Sequence, residues 1–195
     1  MIGRLQLPLR FTTLALVLLC CMLAFAAPLR NRTVKKFSRP AEPVEVIAGS
    51  IKGKPIVFGK AFAGRDNWLG GLKFTIKNTS AKPVTWVKVA LRFYKDNERG
   101  YALVDPLTYG IGTSDIEKLR GGGPPLKPGE TAEVSYSWEQ YQSVRDILDG
   151  MSLPRSIVQV EVSVDEVNFG DNNLMWIEGE MKEFHSPNGW IPVKP

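Results

Sequence analysis

The chain has 195 residues but only two cysteines and one histidine. Both cysteines, Cys20 and Cys21, lie within the first 27 residues. If that segment is removed, no thiol remains for a disulfide, a zinc-thiolate site or a cysteine nucleophile. A single histidine, His185, cannot build a histidine-rich metal site. It would have to serve any serine hydrolase as base, yet no Gly-x-Ser-x-Gly elbow is present. Internal repeats and long low-complexity tracts are also missing. The triple glycine at 121–123 lacks the lysine and helix of a phosphate-binding loop, so it reads as a flexible loop. The only long apolar run is near the N-terminus.

That run has the layout of an export segment. Arg4 and Arg10 precede it, Phe11 to Ala26 are almost continuously apolar, and Ala24-Phe25-Ala26 fits the small-x-small pattern before a cut. It is short for a membrane span, which needs about 20 apolar residues. Cleavage after Ala26 is expected, with no stable membrane span afterwards. The competing expectation is an uncleaved anchor, because Arg30, Arg32, Lys35, Lys36 and Arg39 follow the run and outnumber the arginines before it.

Removing the segment leaves about 170 residues, enough for one domain with a core that needs no disulfide. The net charge falls from +5 to about +3, and five basic residues are concentrated at 30–39, so the rest is near neutral. That argues against a nucleic-acid partner, which requires a basic face across the fold. Residues 27–43 read as a basic, proline-containing linker, and 44–195 as the folded domain. Asn31-Arg32-Thr33 and Asn78-Thr79-Ser80 are glycosylation sequons, meaningful only in a eukaryotic secretory route.

Strand signals dominate from Val44. Val44 to Ile47 and Ile56 to Phe58 are short β-rich runs. In Leu72 to Lys77, and again in Val87 to Phe93, apolar residues alternate with polar ones, the mark of an antiparallel strand with one dry face. Tyr101 to Ile111 and Ala132 to Tyr136 continue the series. Val158, Val160, Val162 and Val164 share a face. The parity slips at Asp165-Glu166, as a β-bulge requires. Gly170 to Asn173 predict a hairpin turn into Leu174 to Met181. One helix interrupts the strands: Ser137 and Gln140 form a capping box, Tyr141, Val144, Ile147 and Leu148 recur at helical spacing, and Gly150 is placed to end it. These signals predict an all-β fold, a two-layer antiparallel β-sandwich with one short helix, preceded by the N-terminal apolar helix of the export segment.

Ile76-Lys77-Asn78-Thr79-Ser80, then Val87-x-Val89-x-Leu91-x-Phe93-Tyr94, a charged turn ending in Gly100, and Leu126-Lys127-Pro128-Gly129-Glu130 resemble the FxLYD-type domains. The likeness covers roughly residues 70–137. It departs from the motif at Leu91, Phe93 and Lys95. It implies an extracytoplasmic prokaryotic sandwich resembling immunoglobulin or fibronectin type III domains. It implies no defined activity and carries no functional residue over.

Chemistry-bearing candidates are few. Asp165, Glu166 and Asp171 gather oxygen atoms near a bulge and a turn, but at no calcium-loop spacing, so no metal and no cofactor is expected. Glu178 and Glu180 are read as sharing a strand face, which is solvated unless they line a cleft as hydrolase carboxylates. His185 is placed in a surface loop. Trp138 is expected beside the helix and Trp190 in the C-terminal tail. Trp86, Tyr94 and Tyr101, with loop 112–125, are the candidate contact surface, unless a second layer, the helix or the N-terminal strands cover the face of Trp86 and Tyr94. The reading is a non-enzymatic exported module that binds another protein or a cell-envelope component. The alternatives are a carbohydrate-binding accessory domain, which needs exposed Trp68 and Trp86, and a carboxylate-based hydrolase.

Overall fold

The computed structural model describes residues 28–95, 100–110, 124–170, 174–185 and 188–193. Residues 1–27, which the sequence reading takes as an export segment, most of loop 112–125 with its triple glycine, and Asp171 lie outside the described residues. The elements are β1 (Arg30–Lys36), β2 (Val44–Ile51), β3 (Lys54–Ile56), β4 (Ala61–Gly64), β5 (Leu72–Asn78), β6 (Trp86–Lys95), β7 (Tyr101–Gly110), β8 (Thr131–Ser135), α1 (Trp138–Gly150), β9 (Ile157–Asn168), β10 (Leu174–Ile177), β11 (Glu180–His185) and β12 (Gly189–Pro192).

Two sheets face each other. The smaller runs β3-β2-β5-β8. In it, Val44, Val46, Leu72, Phe74, Ile76 and Val134 are buried while Lys73 and Lys77 stay exposed. This is the alternation of a half-solvated antiparallel sheet. The larger sheet is centred on β6 and β9, which pair along their full lengths, with β7 on the other side of β6. Phe93 opposes Val160, Leu91 opposes Val162, Val89 opposes Val164 and Val87 opposes Val167. All eight are buried and close the core against the smaller sheet.

The bulge expected near Asp165 is present. Lys88 opposes Glu166 and Val89 opposes Val164, so Asp165 is the extra residue. Beside it, the free edge of β9 forks. Its first half pairs in parallel with β1 and its last residues pair antiparallel with β10. Arg39 fills the gap, donating to the Val164 carbonyl at 2.6 Å and to Asp165 at 3.0 Å. Arg92 holds Asp165 from the other side at 3.0 and 3.2 Å.

The basic stretch after residue 27 is not a solvated linker, which corrects the expectation. Residues 30–36 form β1, paired with β9 and with β4. Arg32 and Val34 are buried and Lys35 is exposed. Charge counting hides this strand because an arginine occupies an inward position. Its two terminal nitrogens donate to the carbonyls of Arg155 and Ile157 and to Asp66, while the buried Nε has no partner among the described residues. Only 37–43 remain as a connection.

Helix α1 carries the capping box. The Ser137 hydroxyl accepts from Gln140 N–H at 3.1 Å and the Gln140 side chain accepts from Ser137 N–H at 3.0 Å. Val144 and Leu148 are buried, whereas Ile147 faces outward at 44% exposure. The helix runs through Gly150, and the left-handed residue beyond it is Ser152, with φ of 58°. Leu153 N–H closes the end on the Leu148 carbonyl. The sequon at Asn78 is unusable in this fold. The residue is wholly buried and its amide donates to the Lys82 and Leu126 carbonyls.

Candidate functional site

The expected contact surface is only partly assembled. Trp86 is 1% exposed and does not reach solvent. Period 2 places it on the outer sheet face, but Ala90 on that face is buried too, so this part of the face is covered. Tyr94 and Tyr101 do come together, as a T-shaped pair across β6 and β7 with centroids 5.7 Å apart. Tyr101 is exposed, and the Arg92 guanidinium lies 5.9 Å from its ring. That guanidinium is committed to Asp165 and Ser163. The pair forms a small patch on a sheet face.

The carboxylates do not gather as the sequence suggests. Asp165 is held by Arg39, Arg92 and the Ser163 hydroxyl, and Glu166 by Lys88 at 2.6 Å. Glu178 and Glu180 share no strand face. Glu178 has φ of 49° and forms with Gly179 the two-residue turn between β10 and β11. His185 ends strand β11 rather than lying in a loop, and it meets Glu183 at 3.1 Å. Trp68 is 2% exposed, so neither it nor Trp86 offers a face to a sugar. Trp138 is 68% exposed at the start of α1, and Trp190 packs on Phe184 at 5.4 Å. Among the described residues no group of three or more His, Cys, Asp or Glu is placed to hold a metal.

A different feature stands out at the end of the sandwich where the described chain enters. Three segments meet there: the β2–β3 turn, the 64–71 connection and the start of α1. Lys52 and Gly53 make the turn with φ of 50° and 77°, and Lys52 N–H donates to the Gly71 carbonyl. Gly70 lies against the Tyr141 ring, where an added Cβ would come within 3.0 Å. The packing leaves two open hollows, each of about 490 Å³. The first lies between β3 and β4 and is floored by Ile51, Ile56, Phe62 and Trp68. The second lies between the 67–71 backbone and α1 and is walled by Tyr136, Trp138 and Tyr141. Lys52 and Asn67 line both, so together they form one groove with a septum.

The groove has one sign of charge. Lys52, Lys54 and Arg65 line the first hollow, Arg145 lines the second, and no carboxylate lines either. Asp66, the nearest acid in sequence, is drawn away by Arg32 at 3.0 Å and Arg155 at 3.4 Å. Arg145 is paired along the helix with Asp146 and Asp149. Lys52, Lys54 and Arg65 make no ion pair among the described residues and stay exposed. No local sequence signal marks this groove, because Lys52 and Lys54 come from one turn, Arg65 and Arg145 from elsewhere, and the aromatics from a turn and a helix start.

Tyr136 in the second hollow gives a measurable property. Burial pushes its phenol well above the ordinary value of 10.0, and the nearby Asp105 carboxylate adds to the rise. The unfolded phenol ionises near its ordinary value while the folded one stays protonated. The contribution is therefore fully present below about pH 10 and is lost as pH rises above it. Alkaline titration of stability is expected to fall above that point in the wild type and to fall less steeply in Tyr136→Phe.

Comparison with known proteins finds no match: no family model, no curated protein and no solved structure is detectably similar to this chain.

Proposed function

We propose that the protein is an exported, non-enzymatic β-sandwich module that binds a partner protein of the cell envelope through the groove at the α1 end. The observation carrying this reading is the groove itself. It is open, apolar at its floor, aromatic at one wall and cationic at its rim, whereas the carboxylates Asp165 and Glu166 are held by internal ion pairs. Recognition sites combine apolar floors with a few placed polar groups in this way. Export rests on the arginine–apolar–small-residue layout of residues 1–26. A non-catalytic role is supported by His185, the one histidine, being spent on a surface contact with Glu183.

We further infer that the sandwich is of the immunoglobulin or fibronectin type III kind, as the FxLYD resemblance implies. Taking β2, β5, β6, β7, β8, β9 and β10 as strands A, B, C, C′, E, F and G puts A, B and E in one sheet and C′, C, F and G in the other. That partition is the one such domains use. The parallel strand β1 and the C-terminal pair β11 and β12 are additions to it.

A photo-reactive benzoylphenylalanine at Ala63, exposed beside the first hollow, tests the binding reading in the producing cell. The expected result is a protein adduct of defined mass from position 63 and none from the exposed β7 position Val104. No adduct at 63, or the same adduct at 104, overturns the groove as the binding surface.

A further inference from the structure

The binding reading leaves the partner's chemistry open, and the groove's own charge and edges narrow it. Three cations that make no ion pair among the described residues, Lys52, Lys54 and Arg65, surround an apolar hollow that no described carboxylate lines. A partner that leaves them unneutralised loses their hydration for nothing, so complementarity requires anionic groups at the rim. The floor of Ile51, Ile56, Phe62 and Trp68 requires an apolar group between those anions. The septum of Lys52 and Asn67 divides the groove into two receptacles instead of one tunnel, which suits separate side chains better than one acyl chain.

The backbone supplies a further restriction. The first hollow is flanked by two outermost strands, β3 of the smaller sheet and β4 of the larger one. An outermost strand presents unpaired N–H and C=O groups along its free side. Pro55 removes a donor from β3, which leaves β4 as the better edge for an added strand. An extended peptide uses such an edge through its main chain and adjacent pockets through alternate side chains. Neither a sugar nor a lipid headgroup makes use of it.

From this, and resting on the groove as the binding surface, we propose that the occupant is an extended acidic segment of a partner protein. Carboxylates alternate with apolar side chains in that segment. Its apolar side chains enter the two hollows, its carboxylates meet Lys52, Lys54 and Arg65, and its backbone runs along β4.

The test uses protein purified after expression of the full chain and a fluorescein-labelled peptide of sequence Glu-Leu-Glu-Phe-Glu-Leu-Glu, followed by fluorescence anisotropy. The expected result is saturable binding that weakens at least about tenfold between roughly 50 and 500 mM salt. The peptide with glutamine at each glutamate is expected to bind at least about tenfold more weakly. Lys54→Glu combined with Arg65→Glu changes only exposed side chains. It is expected to lose at least about tenfold in affinity with an unchanged far-ultraviolet spectrum.

Equal binding of the glutamine peptide overturns the acidic assignment while leaving the groove as a binding surface. So does tighter association with phosphatidylglycerol vesicles than with the peptide. Absence of peptide binding together with an adduct at position 63 rejects the acidic segment alone. Absence of both rejects the groove as well.

Discussion

Arg32→Ala lowers the free energy of unfolding by about 3–5 kcal/mol, the range for removing one partner of a buried charged pair. The side chain is 0% exposed, yet it sits in a stretch that reads as a solvated basic run. One terminal nitrogen donates to the carbonyls of Arg155 and Ile157, and the other reaches Asp66 at 3.0 Å. Burial lowers the guanidinium pKa, and Asp66 offsets part of that shift. The group therefore stays charged and bridges three parts of the chain. Truncation leaves Asp66 half-compensated, leaves two carbonyls short of a donor and opens a cavity under Gly64, whose added Cβ would lie 2.8 Å from the Arg32 stem.

Thermal unfolding followed by circular dichroism is expected to show a midpoint lowered by roughly 10 °C or more. Arg32→Met keeps most of the buried stem and is expected to recover part of that loss. Lys36→Ala removes only the partly exposed pair with Glu45 and is expected to cost less than about 1 kcal/mol. If residues 28–43 were a free linker, all three substitutions would leave the midpoint in place.

Gly110→Ala is the second large effect, about 4 kcal/mol, at the upper end for single substitutions. Gly110 closes β7 opposite Trp86 with φ of 82°. An added Cβ would lie 1.8 Å from the Thr85 carbonyl oxygen and 2.7 Å from its carbon. Both are backbone atoms, so no rotamer change relieves the overlap. The end of β7 must separate from β6, and the buried Trp86 loses the close approach that only glycine permits. Gly129→Ala is the control. It has nearly the same φ, 79°, but nothing within 4 Å of the added atom. It is expected to cost only about 1 kcal/mol, from the positive φ alone. Urea unfolding midpoints separate the two. Equal losses would show that steric overlap at Thr85 contributes nothing.

Much of the sandwich is readable in the chain because burial on one sheet face imposes period 2. Leu72 to Lys77 and Val87 to Phe93 show it plainly, and the parity slip at Asp165 marks the bulge. The capping box of α1 is local chemistry and equally plain. Other features depend on partners distant in sequence. β1 is hidden because the acceptors that make a buried Arg32 tolerable lie more than 120 residues away. Alternation puts Trp86 on the outer face but does not say whether that face is covered, so its burial cannot be read from the sequence. Glu178 looks like a strand residue because its turn conformation is carried by a non-glycine residue.

The groove is the least legible feature. Leu29, Lys52, Phe62 and Trp68 line its first hollow, and no short window of sequence contains them together. Tyr94 and Tyr101, the aromatics chosen from sequence, do meet, but away from this groove. Lys52 and Lys54 flank Gly53 in one turn, but Arg65, which joins them at the hollow, lies in a separate connection, so the group is not visible in sequence. Among basic residues, those at 30–39 draw attention first, and they are the ones most occupied with internal contacts.

The most direct test of the account is the map of amide chemical-shift changes when the acidic peptide is added to the nitrogen-15-labelled protein. The predicted result is a contiguous set of shifts at residues 52–56, 62–71 and 136–145, saturating together, with Tyr94 and Tyr101 unmoved. Shifts centred on Tyr94 and Tyr101, with the 52–71 region silent, would contradict it.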